Sequence, residues 1–160
     1  MSKLRTEAPS KAAVRQLAEQ GLGMPRYPKE DIPHLPAEIT SVVDEDLMDL
    51  FVSLTAWSDF VGVQVACAQV DERAAQRVLD VAESSIYSRT TVASDRVSDS
   101  KARVSAHPDV VAARESLDER YGYRKIVESL LASIERDAAL VSREITRRTA
   151  TTNRRDRWSA

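Results

Sequence analysis

The sequence holds one cysteine, two histidines, four glycines and 5% aromatic residues, and each scarcity removes a class of function. A lone thiol, Cys67, excludes an internal disulfide and a thiolate metal cluster. It stands in an apolar helical run and reads as a small buried hydrophobe. A Cys–His or Ser–His nucleophilic site would need His34 or His107 beside a thiol or hydroxyl. His34 lies in a proline-rich stretch, and His107 directly precedes Pro108, where helix capping is the simpler role. An enzymatic reading rests on His107 alone. Neither GxxxxGK[ST] nor GxGxxG is present, so the backbone cradles that hold nucleotide phosphates are missing. The run "VVDEDLMD" gathers Asp44, Glu45, Asp46 and Asp49 without the glycine and alternating spacing of a calcium loop. The first three read as acids in the first turn of a helix. No catalytic residue, metal ligand or cofactor is expected, and the chain reads as a non-enzyme.

The start "MSKLRTEAPSK" has no apolar segment of a signal peptide. No apolar run approaches the ~20 residues of a bilayer span. The expected location is the cytoplasm, the host's if the protein is viral, with no membrane partner.

With few rings, the core must come from Leu, Val, Ile and Ala. With few glycines, long helices are favoured over a turn-rich β fold. "SKAAVRQLAEQG" predicts a short helix with Ser10 as N-cap and Gly21 at its stop. Residues 22–36 carry Pro25, Pro28, Pro33 and Pro36 and read as an extended connector. A long stripe then begins near Asp44, a candidate N-cap, with apolar residues stepping by three and four from Leu47 and Phe51 to Ile86. Glu72 interrupts it between Ala68 and Ala75, and alanines in its later half predict close helix approach. Residues 88–106 are rich in Ser and Thr, so a break is expected at 89–94 and a weak helix over 95–105. A second stripe starts at Pro108 and runs from Val110 to Ile145. It includes Tyr121 as a core position and is broken only at Arg124. After residue 150 the period is lost and fraying is expected. The fold class is therefore all-α: a long antiparallel helical hairpin with short satellite helices, assembling into a helical oligomer because a lone hairpin leaves apolar stripes uncovered. The organisation is a helix and proline-rich connector over 1–36, a helical core over 37–150 and a basic tail over 151–160.

The net charge is −2, but it is unevenly spread. Lys29 to Asp49 holds seven acids and one base, a balance of −6, whereas Arg143 to Ala160 holds six arginines and two acids, a balance of +4. Lys101 and Arg103 flank a mixed-charge segment that also reads as a solvated face. "YGYRK" interleaves rings with bases, which suits single-stranded nucleic acid: bases stack on rings while phosphates meet cations. Tyr123 and Lys125 are the exposed members of that run. The strongest basic patch is "REITRRTATTNRRDRW", with Arg143, Arg147 and Arg148 followed by Arg154, Arg155, Arg157 and Trp158. Cations at a helix C-terminus also complement its dipole, which accounts for the first three but not for the last.

The run "DRVSDSKARVSAHPDVVAARESL" resembles the centre of the UvsY-type recombination mediators of T-even-like phages. There too a Lys-containing segment leads through Ser-Ala-x-x-Asp-Val into a long apolar helix with a basic end. The helix around Trp57 and the Ala/Glu/Arg-rich stretch after it hold matching places, so the resemblance covers roughly residues 45–150. It implies a small, all-helical, ring-forming protein that binds single-stranded DNA and helps a RecA-like recombinase displace a single-strand-binding protein. It places Lys101 and Arg103 in the DNA-associated segment. This chain departs from the family in its net acidity and its proline-rich front. A coiled-coil adaptor or virion-assembly protein is the other reading, and it needs only the stripes and the charge asymmetry.

Overall fold

The computed structural model describes residues 8–29, 31–90 and 96–159, with the side chains of those up to 151. Four helices and one 3-10 turn account for the regular structure, and no strand occurs among the described residues. They are α1 (Pro9–Glu19), the 3-10 turn Ile39–Ser41, α2 (Asp44–Thr90), α3 (Val97–Ser105) and α4 (Pro108–Ser159). The fold is all-α. Helix α4 continues to Ser159, so the fraying expected after residue 150 does not occur along the described backbone. Of the break expected at 89–94, Arg89 and Thr90 are still in α2, and the rest falls in residues 91–95, which lie outside the described residues.

Two compact units make up the chain: Met1–Gly23 with Val65–Ile126, and Met24–Gln64 with Val127–Ala160. In the first, Pro9 opens α1, where its missing N–H costs nothing. Gly21 closes the helix at φ 77°, a conformation that favours glycine. The Leu22 N–H donates to the Leu17 carbonyl and the Gly21 N–H to the Ala18 carbonyl, both at 3.0 Å, the paired bonds of a Schellman stop. Ser10 is not the N-cap; Ala8 is, and it offers no side-chain bond. The cap comes instead from a distant residue. Asp71 on α2 accepts the Ser10 N–H at 3.0 Å and its hydroxyl at 2.8 Å, satisfying a first-turn donor that the helix itself leaves open. Leu79, Ile86, Val104 and Val110 form the apolar centre of this unit, with Ala82, Ala113 and Leu117 packed against it. Each large aliphatic side chain buried there contributes about 1.5–3 kcal/mol.

Both stripes follow a seven-residue spacing, the pattern of helices packed side by side. The buried positions Leu47, Leu54, Val61, Ala68 and Ala75 are one series on α2, and Val65, Leu79 and Ile86 belong to a second that also passes through Glu72. On α4 the series Val127, Ile134 and Val141 extends back through Arg120, not Tyr121. That offset of one residue turns the Tyr121 ring outward, 48% exposed, and corrects the expectation that it lies in the core. The two charged breaks in the stripes meet each other: Arg124 donates through Nε and Nη2 to the Glu72 carboxylate, the second bond at 3.4 Å. Beside them Arg120 pairs with Asp71 at 3.5 Å, and further along Arg114 pairs with Glu83 at 3.0 Å.

In the second unit the first i to i−4 bond of α2 runs from the Leu47 N–H to the Val43 carbonyl at 3.0 Å. Val43 therefore holds the cap position expected for Asp44, which begins the helix with Glu45 and Asp46 in its favourable first-turn field. Tyr27, from the proline-rich connector, meets Trp57 and Phe60 edge to face at ring separations of 5.2 Å. Such pairs add about 0.5–1.5 kcal/mol each beyond burial. Contrary to the sequence expectation, α2 is by length and composition apolar enough to cross a membrane: its most apolar 18-residue window has a mean hydropathy of 1.4 and is 22% buried. Residues 50–70 carry a single charge, Asp59. The core helix of a water-soluble protein has the same composition.

Candidate nucleic-acid interface

Helix α3 is short and polar, and two residues one turn apart fix it to the first unit. Ser100 and Val104 are buried, which turns Lys101 and Arg103 outward, both exposed. The chain then turns through His107 into α4. The His107 carbonyl accepts the Val110 and Val111 N–H groups at 3.0 Å each, and its Nδ1 accepts the Asp109 N–H at 3.2 Å. The imidazole thus works as an N-cap, the local role anticipated for it. The Asp109 carboxylate lies 3.8 Å from the same nitrogen.

On α4, "YGYRK" presents both rings to solvent, Tyr121 at 48% and Tyr123 at 55% exposure. The Arg124 guanidinium carbon sits 5.3 Å from the Tyr121 ring centre and the Lys125 ammonium 5.8 Å from it. These are cation–π distances, and they hold two positive charges against an exposed ring. Lys101, Arg103, Tyr123 and Lys125 all belong to the first unit.

The arginines of the second unit divide sharply. Arg143 is exposed. Arg147 is bound by Glu144 through two bonds, of 2.7 and 2.6 Å, with its side chain still largely exposed. Arg148, on the buried heptad series, is 19% exposed and fully occupied. Its Nε donates to Glu144 at 2.7 Å, Nη1 to the Val42 carbonyl and Asp44, and Nη2 to the Ile39 and Thr40 carbonyls at 3.2 and 3.1 Å. A guanidinium has five N–H donors, and all five are used. Arg148 therefore ties the turn before α2 to the end of α4 and has no donor left for a phosphate. Bonds from Arg147 and Arg148 hold the buried Glu144 carboxyl down at about 2. The side chains of Arg154, Arg155, Arg157 and Trp158 lie outside the described residues, on a stretch whose backbone is helical.

Cys67 is half-buried rather than fully buried, and burial followed by the Asp71 charge pushes its thiol up, away from the reactive thiolate. Among the described residues no group of three or more His, Cys, Asp or Glu side chains could hold a metal ion. Two buried polar atoms lack a partner among the described residues, the Trp57 indole nitrogen and the Ser100 hydroxyl.

Sequence reasoning missed two features. One is the saturation of Arg148. The other is Tyr87, directly after the stripe residue Ile86 and therefore turned off the buried face, 41% exposed. Comparison with protein-family models, with curated proteins and with solved structures gives no match. What the molecule does must therefore be argued from its own residues.

Proposed function

We propose that this chain is a non-enzymatic single-stranded DNA-binding protein of the recombination-mediator kind, which assists a RecA-like recombinase in replacing a single-strand-binding protein on DNA. The observation that carries the reading is the exposure of Tyr121 and Tyr123 beside Lys125, on the same unit as the exposed Lys101 and Arg103. Rings supply stacking surfaces and cations supply phosphate contacts, a combination that binds single strands with little sequence preference. The all-helical fold agrees with what the likeness to UvsY-type mediators implies.

In this reading α2 and α4 form an antiparallel hairpin, supported by contacts that run in opposite order along them: Glu83 meets Arg114, whereas Glu72 meets Arg124. Exposed apolar residues on both helices, among them Val52, Val78, Val81 and Ile126, supply the surface for a homo-oligomer. Repetition of a weak site around that oligomer gives avidity that offsets the net charge of −2. Its place of action is the cytoplasm, the host's if the protein is viral.

A salt titration of poly-dT binding, run with a measurement of solution mass, tests this. The expected result is an oligomer whose affinity falls steeply between about 50 and about 200 mM salt. A flat salt response, or no binding near 50 mM, refutes the DNA role. The exposed apolar residues also favour a second reading, a coiled-coil adaptor or virion-assembly protein. The two separate on Lys101→Gln with Arg103→Gln: a mediator loses DNA affinity and keeps its oligomer, and an adaptor has no DNA affinity to lose.

A further inference from the structure

A groove of about 480 Å³ lies between the end of α2 and α3, lined by Glu83, Ser84, Tyr87, Lys101, Val104 and Ser105. We infer that it is a nucleotide-binding site, in which a base stacks on Tyr87 and its phosphate meets Lys101. The inference rests on the single-strand reading and deepens it by naming where one nucleotide unit sits.

Charge, shape and donor supply each point the same way. Glu83, the one acid in the lining, is neutralised by Arg114 at 3.0 Å. Among the described residues Lys101 has no carboxylate partner, so the groove's uncompensated charge is positive and favours an anion. Tyr87 offers an exposed ring in the wall and stacks on no other ring among the described residues. Val104 is buried beneath and joins the apolar centre of the unit, which gives the groove a fixed floor. The Ser84 hydroxyl already donates to the Asp80 carbonyl at 2.8 Å, leaving its oxygen to accept from a base or sugar. The volume falls within the range of small-ligand sites, about 300–1,000 Å³. A planar ring, the Lys101 ammonium and flanking hydroxyls suit a nucleotide better than an inorganic anion, which would not need the ring.

The same chemistry arrives either within a strand or as a free nucleotide, and the full-length chain distinguishes them with two probes, oligo-dT and thymidine monophosphate. Tyr87 and Lys101 are both exposed, so their variants are expected to keep the wild-type far-UV spectrum and solution mass. Tyr87→Leu should weaken oligo-dT binding by about fivefold to a hundredfold, while Tyr87→Phe, which keeps the ring, stays near wild type. Lys101→Gln should lower the salt slope by about one, and Lys101→Arg should not. Thymidine monophosphate binding that depends on Tyr87 without oligo-dT binding supports the groove and removes the single-strand reading. Wild-type oligo-dT binding that Tyr87→Leu and Lys101→Gln leave unchanged overturns the groove and keeps that reading. Binding of neither probe overturns both.

Discussion

The contact between Glu72 and Arg124 offers the sharpest test of how the long helices are held together. Each residue is the single charged position in its own heptad series, Val65 to Ile86 on α2 and Val110 to Ile145 on α4, and the side chains are 21% and 17% exposed. Exposed pairs contribute about 0–1 kcal/mol, whereas removing one member of a buried pair costs about 3–5 kcal/mol because the survivor stays buried and uncompensated. With roughly a fifth of each side chain still in water, Glu72→Leu and Arg124→Met should each cost about 2–3 kcal/mol. The neighbouring Asp71 is poorly placed to rescue Arg124, since it already accepts from Ser10 and pairs with Arg120. At this chain length that loss lowers Tm by about 4–12 °C. The double variant completes both heptad series with apolar residues and should return to wild-type stability or exceed it by about 1 kcal/mol or more. Urea and thermal melts of the four proteins, followed by far-UV circular dichroism, give the coupling energy directly. Single losses below about 0.5 kcal/mol, or a double loss equal to their sum, would refute a buried-pair account.

Four further outcomes follow from single side chains. Glu144 is held at about 2 against its ordinary 4.5, so its contribution is fully present above about 4.5 and lost as pH falls toward 2. Glu144→Gln should therefore melt below wild type at neutral pH, with the gap closing in acid; a constant gap refutes the assignment. Arg148→Lys keeps the charge but offers three donors to five acceptors, and amide exchange at residues 39–47 should quicken while that of α3 is unchanged. His107→Ala should cost about 0.5–1 kcal/mol in urea melts and His107→Asn much less, because both His and Asn can accept the Asp109 N–H; an Ala variant equal to wild type refutes the cap. Ser100 is 1% exposed and its hydroxyl has no partner among the described residues, so Ser100→Ala should hold or raise stability by up to about 1 kcal/mol, and a clear loss would mean that the hydroxyl has a partner.

Much of this fold was legible because spacing alone carries it. The stripes from Leu47 and from Val110, the Pro108 helix start and the Gly21 stop are local signals, and local signals can be read one residue at a time. Glu72 and Arg124 were visible as breaks, but nothing local says that two breaks separated by 52 residues answer each other. Ser10 failed as a cap for the same reason: its partner, Asp71, is 61 residues away. Tyr121 failed by one position. A three-and-four stepping pattern admits both Arg120 and Tyr121, and the strict seven-residue series set by Val127, Ile134 and Val141 picks the arginine.

That register also decides which cations can serve a ligand. Arg120, Arg124 and Arg148 fall on the two heptad series of α4, and each meets a carboxylate from α2: Asp71, Glu72 and Asp44. Placed where an apolar residue would be buried, an arginine must be paired, since an unpaired buried charge is prohibitively costly. Arg143, Arg147, Tyr123 and Lys125 fall between the series and face outward. Counting arginines in "REITRR" thus overstates the basic surface, because Arg148 is consumed by Asp44, Glu144 and three carbonyls. Arg143 and Lys125, with Lys101 on the separate helix α3, are the cations whose loss should change DNA affinity without changing stability; neutralising Arg120, Arg124 or Arg148 should do the reverse, and neutralising Arg147 should also cost stability because it holds the buried Glu144.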